Sequence, residues 1–452
     1  MFAAAGCVGF NKPEGWAGPT VAGDLLVVST DKGELSALDP NPESGAQCDN
    51  STDDDEDGWV NEGCPKAGDK DESGKDCDND TSDDTVDDTP DDTPDDDKVN
   101  DGCPPFVPLW TFPTGDEEPK IDLEAIYGTP LVSGGTVYFA AYSGDVYALS
   151  LETGEPLWNQ PFDTDSAIIA GIALAETALY VADDDGRLHV LDPQTGRRTD
   201  VFDAGEIIWA APLLAEGVLY VASVNGRLYA LDAETFEPVW DAPFETGHGL
   251  ISDPVLADGT VLVGGIDREL HAVDAETGDE RWSFGADNWF WGRPLVEDGT
   301  VYAPSLDGRL YALSFESGEE RWSFEADNWF WTRPLVADGT VYAPNLDGRL
   351  YALSLENGEE RWSFEAEDPD PLRSAPVLAG EALVIVDRGG NVFGLDPEEE
   401  PEDERLRWSE ALEKTVLSNP LVVGEEVLIS AQGGDLFSVD PVTGRSSEVE
   451  TP

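Results

Sequence analysis

Residues 281–324 read RWSFGADNWFWGRPLVEDGTVYAPSLDGRLYALSFESGEERWSF, and residues 321–364 repeat them as RWSFEADNWFWTRPLVADGTVYAPNLDGRLYALSLENGEERWSF. Within each copy a Pro opens a short apolar stretch, followed by a Gly or acidic turn and an alternating strand. Fourteen residues after the Pro comes an Asp-Gly turn, then a second alternating strand, a Ser-Gly or Asn-Gly turn and a Trp-bearing strand. Outward from this pair the frame extends in both directions. The opening Pro is Pro19, Pro130, Pro212, Pro254, Pro294, Pro334, Pro376 or Pro420, with Ile172 in its place once. The turn residue is Gly33, Gly144, Gly186, Gly226, Gly308, Gly348, Gly390 or Gly434, and Arg268 in one unit. Nine units result, spaced 40 to 44 residues apart except for one gap of 111.

Segments such as Val341-Tyr342-Ala343-Pro344 and Leu350-Tyr351-Ala352-Leu353 alternate with the period of a half-buried strand. Between them, Asp347-Gly348 offers residues able to adopt positive φ, as a tight hairpin requires. No stretch carries a helical period with caps. Four short strands repeated about every 40 residues predict an all-β chain, a β-propeller of four-stranded blades that bury both faces against their neighbours. The count is nine blades, with eight as the alternative.

The unit Gly-Thr-Val-Tyr, Asp-Gly-Arg-Leu-Tyr-Ala-Leu, Ser-Gly-Glu and Trp resembles the pyrroloquinoline-quinone-type (PQQ-like) propeller repeat. That repeat builds quinoprotein alcohol dehydrogenases and the propeller lipoprotein of the outer-membrane protein assembly machinery, usually with eight blades. Enzymatic members hold the quinone with adjacent cysteines, a calcium ion and a catalytic Asp. This chain has no adjacent cysteines, so the resemblance implies the fold without the quinone and without catalysis.

The histidines give no catalytic site either. His189 and His271 stand where Tyr147, Tyr229, Tyr311 and Tyr351 stand in other units, which reads as packing substitution. His248 lies in a loop between units with no evident acid–base partner.

Positions that vary around the ring say more. Three residues before the opening Pro stand Trp16, Tyr127, Ile169, Trp209, Ile251, Trp291, Trp331, Arg373 and Leu417. Beside them, Arg293 and Arg333 put cations into a very acidic chain. Two readings stay open. The aromatics wedge adjacent blades together, or Trp16, Tyr127, Trp209, Trp291 and Trp331 with Arg293 and Arg333 form a partner-binding rim, built from residue types enriched at interaction hot spots.

The long gap is explained by an insertion at 46–104, between the third and fourth strands of the first unit. The expected organisation is therefore an N-terminal segment 1–15, a propeller over 16–45 and 105–452, and the insert. The insert is itself duplicated. Its first copy runs Asp53-x-Asp55-x-Asp57-Gly58-x-x-Asn61 and resembles a thrombospondin type 3 calcium repeat. Alternate carboxylates before a Gly turn can wrap one Ca²⁺, which takes six or more oxygens. The candidate ligands are Asp53, Asp55, Asp57, Trp59 and Asn61, with Asp92, Asp96 and Asn100 in a degenerate second copy. Residues 83–97 between them are low-complexity Asp/Thr/Pro, read as an acidic tether.

All five cysteines fall in the first quarter. Cys48, Cys64, Cys77 and Cys103 border the acidic segment and can pair as two local disulfides, implying an oxidising, extracytoplasmic compartment. Cys7, in Ala4-Ala5-Gly6-Cys7, resembles a lipobox cysteine, giving a possible lipid anchor as the route to a membrane. Without an anchor the chain is read as secreted.

The 452 residues carry 96 acids and 25 bases, a formal net charge of −71. Residues 49–104 hold 23 of the acids and 4 of the bases, so the remainder alone is at −52. Nucleic acid and anionic membrane surfaces are excluded as partners, since both require basic patches. Self-repulsion at this charge predicts a cation-rich, high-salt habitat. The reading favoured by the sequence is a non-catalytic extracytoplasmic scaffold that binds a protein or cell-surface polymer. A quinone-dependent oxidoreductase and a calcium-stiffened adhesive protein are the alternatives.

Overall fold

A computed structural model of the chain describes residues 20–22, 25–29, 34–39, 107–113, 121, 123, 125–366, 370–398, 405–432 and 435–449. The candidate lipid-anchor residue Cys7, rim residue Trp16, the four other cysteines and every candidate calcium ligand lie outside them.

Nine four-stranded sheets form, each antiparallel and each made of four strands consecutive in the chain. Nine blades therefore stand, and the eight-blade alternative is set aside. Blade 6 shows the pattern, with strands Leu295–Glu297, Thr300–Pro304, Arg309–Ser314 and Glu320–Glu325 running from the centre outward. Blade 1 joins Leu35–Asp39 to Val107–Phe112, pairing Leu35 with Phe112 and Ala37 with Trp110 across the 67 intervening residues.

Strand alternation becomes blade stacking. Val301, Ala303, Tyr311 and Leu313 pack toward blade 5, whereas Tyr302, Leu310 and Ala312 pack toward blade 7. Successive side chains on a strand point to opposite faces, so one short segment serves two interfaces. The ring closes by the same device, with Leu26, Val28 and Leu38 of blade 1 against Leu428, Leu436 and Val449 of blade 9. Among the described residues no strand is exchanged to close it.

In blades 2, 4, 5, 6 and 7 the innermost hairpin turns on two residues that both have positive φ, as at Asp298 (45°) and Gly299 (69°) or Asp338 (47°) and Gly339 (72°). This is the type I′ geometry whose twist matches the flanking strands. The tight turn is thus one hairpin earlier than the sequence suggested. Asp347-Gly348 closes a longer loop in which only Gly348 has positive φ, at 87°. Asp347 instead accepts hydrogen bonds from the Arg349 amide (2.9 Å) and the Tyr351 hydroxyl (2.7 Å).

On the outer strands a Trp docks onto the next blade. Trp322 donates its indole N–H to the Leu355 carbonyl at 3.2 Å, and Trp282 does the same to Phe315 at 2.9 Å. Each ring lies over a turn glycine. A Cβ on Gly358 would meet the Trp322 ring at 2.4 Å, so only glycine fits beneath it. In blades 2 and 4 the Trp precedes a fourth strand of only two residues, Phe162–Asp163 and Phe244–Glu245. Pro156 and Pro161, and likewise Pro238 and Pro243, remove ladder donors on either side of Trp158 and Trp240.

Candidate functional site

The segment Asn288-Trp289-Phe290-Trp291-Gly292-Arg293 links blade 5 to the first strand of blade 6. Asn288 donates to the Leu306 carbonyl at 2.8 Å and its own side-chain oxygen accepts from the Trp289 amide at 2.9 Å. The Leu306 amide returns a bond to the Trp289 carbonyl at 2.9 Å. The link is thereby laced to the next hairpin, and Asn328 repeats this one blade further with Leu346 (3.2 Å) and Trp329 (2.9 Å).

Local alternation then sorts the side chains. Phe290 is buried in the core between blades 5 and 6, and Phe330 in that between blades 6 and 7. Gly292 is also buried, close to Pro304 and the Trp331 backbone. Phe290 and Phe330 are thus the blade wedges. Trp291 and Trp331, one residue on, are only half-buried and stack on each other at 5.1 Å and 29°.

Trp209 belongs to blade 4, yet its ring meets Trp291 of blade 6 at 5.9 Å and 69°. Side chains from non-adjacent blades can touch where the blades converge, at the central channel. Blade 5 contributes Ile251, which is buried between them in sequence order. Past Trp331, blade 8 places the Arg373 guanidinium 5.3 Å from the Trp331 ring centre, within cation–π range. The result is a continuous row of Trp209, Trp291, Trp331 and Arg373 along one side of the channel. Tyr127, on blade 2, packs instead against Tyr142 at 5.5 Å.

Elsewhere among the described residues six arginines are ion-paired, as in Arg227–Glu245, Arg309–Glu325, Arg349–Glu365 and Arg407–Asp396, while others such as Arg321 and Arg361 bond only to threonine hydroxyls. Arg293, Arg333, Arg373 and Arg388 make no ion pair with any described carboxylate. Arg293 and Arg333 are exposed, two residues beyond the stacked tryptophans. Arg373 is half-buried, its Nε is buried with no hydrogen-bond partner, and burial together with Arg388 beside it lowers its pKa. A cation without a counter-ion, in a chain with nearly four acids per base, is an open receptor for an anion. Sequence reading placed Arg373 on the ring but not in the rim. The signal was there: it is the one cation at that ring position.

The other described candidates form no catalytic constellation. His271 Nε2 lies 2.9 Å from Asp267 and Nδ1 2.9 Å from Glu280. Burial opposes its charge, but those two hydrogen bonds outweigh it and raise its pKa. His189 Nε2 lies 2.8 Å from Asp183. Both imidazoles pack edge-on to a Phe at 5.3 Å, as Tyr311 does to Phe284 at 4.9 Å. A cleft of 310 Å³ is lined by Glu206, Asn225, Arg227, Glu245 and Gly247, but its one cation, Arg227, is paired with Glu245.

A family model described as outer membrane protein assembly factor BamB matches residues 108–200, 200–288, 237–324 and 285–399. A curated relative, the outer membrane protein assembly factor BamB of Alkalilimnicola ehrlichii, is 31% identical over 91 residues. That stretch is 20% of this chain and 23% of the relative, so the chain matches under a quarter of its length. Among solved structures, BamB from Moraxella catarrhalis superposes with a TM-score of 0.54 at 21% identity, over 70% of this chain and 92% of that one. The computationally designed Ika8 protein gives 0.54 at 16% identity, over 68% and 93%. At these identities the two structures share the fold.

Proposed function

From the premise that this chain belongs to the PQQ-like repeat family described by outer membrane protein assembly factor BamB, we propose that it is a non-catalytic scaffold holding a protein partner at its central channel. The observation that carries this reading is the row of Trp209, Trp291, Trp331 and Arg373, with Arg293 and Arg333 beside it and no described carboxylate on any of these guanidiniums. Stacked indoles take an apolar or aromatic side chain, while planar guanidiniums take carboxylates in paired hydrogen bonds. The partner segment is therefore acidic with at least one apolar anchor. At 0.15 M salt the Debye length is about 8 Å, so the acidic surface is screened while the site's own cations act at contact.

The compartment proposed is extracytoplasmic, supported by the name of the relatives and by the four cysteines that border the acidic segment. Within it, residues 46–104 form a calcium-binding insert on blade 1 held by Cys48–Cys64 and Cys77–Cys103, and Cys7 is the position for a lipid anchor. Residues 16–45 and 105–452 make up the propeller.

The test is calorimetry with synthetic peptides of equal length: one Asp/Glu-rich with a central Phe, one neutral, one Lys-rich. The acidic peptide is expected to bind wild type and to lose affinity in Trp291→Ala/Trp331→Ala and in Arg293→Glu/Arg333→Glu, with melting temperatures little changed. Equal binding by wild type and both variants, or no preference among peptides, overturns the reading.

A further inference from the structure

Blade 5 departs from its neighbours at one corner, and the departures go together. Blades 6 and 7 carry Gly308 and Gly348, Arg309 and Arg349, Tyr311 and Tyr351, and Glu325 and Glu365 there. Each Arg lies 2.6 Å from the Glu opposite it, and each Tyr donates to the turn Asp at 2.7 Å. Blade 5 has Arg268, Glu269, His271 and Gly285 in those places. A cation has become a carboxylate, its partner carboxylate is gone, and an imidazole replaces the phenol.

The side chains converge. His271 Nε2 is 2.9 Å from Asp267 Oδ2 and 3.9 Å from Glu269 Oε2. One ligand atom from each of the three lies within 4.8 Å of the others. Ligands bound at 2.0–2.2 Å around a tetrahedral ion sit about 3.4 Å apart, so small side-chain movements bring all three into a coordination sphere. The other ring nitrogen, Nδ1, is held by Glu280 Oε1 at 2.9 Å, the carboxylate–histidine arrangement that orients metal-bound imidazoles. His271 and Asp267 side chains are 4% and 9% exposed, but Glu269 is 46% exposed. The pocket is thus dry on the protein side and open on one side to water, which supplies the remaining ligands.

We propose that Asp267, Glu269 and His271 form a binding site for a divalent transition metal of the Zn²⁺, Co²⁺ or Mn²⁺ class, with Glu280 positioning the imidazole. One nitrogen and two carboxylates suit these ions better than Ca²⁺, which takes oxygen alone. Blade 3 supplies the internal contrast. His189 also faces a carboxylate, Asp183, but Arg187 stands where Glu269 stands and Nδ1 has no partner. An imidazole at this repeat position is not enough by itself.

The site is tested on the full chain, stripped with chelator and held in excess Ca²⁺. Zn²⁺ is titrated by calorimetry while the ring signals of the three histidines are followed by NMR. His271→Tyr restores the residue of blades 6 and 7 and so is expected to fold with an unchanged melting temperature. The expected result is a Zn²⁺ equivalent that shifts His271 but not His189 or His248, absent in His271→Tyr and weakened about 10- to 100-fold in Glu280→Gln. Co²⁺ should give a visible d–d spectrum that His271→Tyr abolishes and His189→Tyr keeps. Zn²⁺ uptake that leaves the His271 signals unmoved, or equal uptake by wild type and His271→Tyr, overturns the assignment.

Discussion

Phe236 stacks on Tyr180 at 6.1 Å and 15°, from a backbone φ of 61°. At six other interfaces the corresponding turn position is glycine, Gly154, Gly196, Gly278, Gly318, Gly358 or Gly444, lying under a Trp of the preceding blade. Blade 3 has no such Trp. Its outer strand pairs Asp200 with Val190, where blade 5 pairs Trp282 with Ala272. The aromatic that fills this interface therefore comes from the opposite side, and Phe236 accepts a left-handed backbone to supply it.

Phe236→Gly should open a cavity at the interface of blades 3 and 4 and destabilise by about 3–5 kcal/mol. Asp200→Trp alone should collide with Phe236. The double variant rebuilds the arrangement of the other blades and should recover most of the loss. Urea denaturation of the four proteins measures the coupling, and simple additivity would refute the swap.

Trp322→Ala removes a docked indole and its bond to Leu355, so a cost of about 3–5 kcal/mol is expected. Gly358→Ala should be comparably harmful, because the new methyl meets the Trp322 ring at 2.4 Å and φ is 71°. The channel variant Trp291→Ala/Trp331→Ala should cost clearly less than Trp322→Ala by thermal melting. An equal cost would make the channel tryptophans structural wedges.

The calcium binding proposed for the insert would rest on Asp53, Asp55 and Asp57, three like charges within five residues. Calorimetry should lose a calcium equivalent in Asp55→Ala/Asp57→Ala, while the melting temperature of the propeller stays unchanged on chelation. Equal uptake by both proteins rules out this site.

Salt should stabilise the fold, because the charge outside the insert alone is −52 and screening weakens its self-repulsion. Melting temperature is expected to climb between 0.1 M and molar KCl, estimated from the roughly 10 Å and 3 Å screening lengths at these strengths. A flat profile contradicts it.

Glu426 is raised above the ordinary glutamate range, first by burial, then by Asp440 and Glu425, against the Ser438 hydroxyl that bonds it at 2.8 Å. A carboxyl whose folded pKa is raised favours folding when protonated, so its ionisation costs stability at neutral pH. Glu426→Gln keeps the acceptor for Ser438 without the charge. It should be more stable than wild type at pH 7, and the difference should vanish below about pH 4, where glutamate is protonated in both states. A difference independent of pH would exclude Glu426 as its source.

The repeat at 281–364 by itself determined the all-β class, the four-strand unit and the family resemblance, because a propeller blade is a local object; the choice of nine blades over eight came with the nine sheets. A blade's alternation, turn residues and docking Trp all lie within about 40 consecutive residues. The same locality let the sequence mark the ring position of Trp209, Trp291, Trp331 and Arg373. It left open whether those rings wedge blades or face one another, since that depends on contacts between residues 40 to 82 apart. Only the closed ring brings Trp209 past Ile251 to Trp291, identifies Phe290 and Phe330 as the wedges, and shows which arginines lack carboxylates. The corner of Asp267, Glu269, His271 and Glu280 divides the same way. Its unusual residues are legible in the repeat, but their convergence is not. Glu280 reaches His271 from the neighbouring strand, and that register is fixed by the burial of both sheet faces.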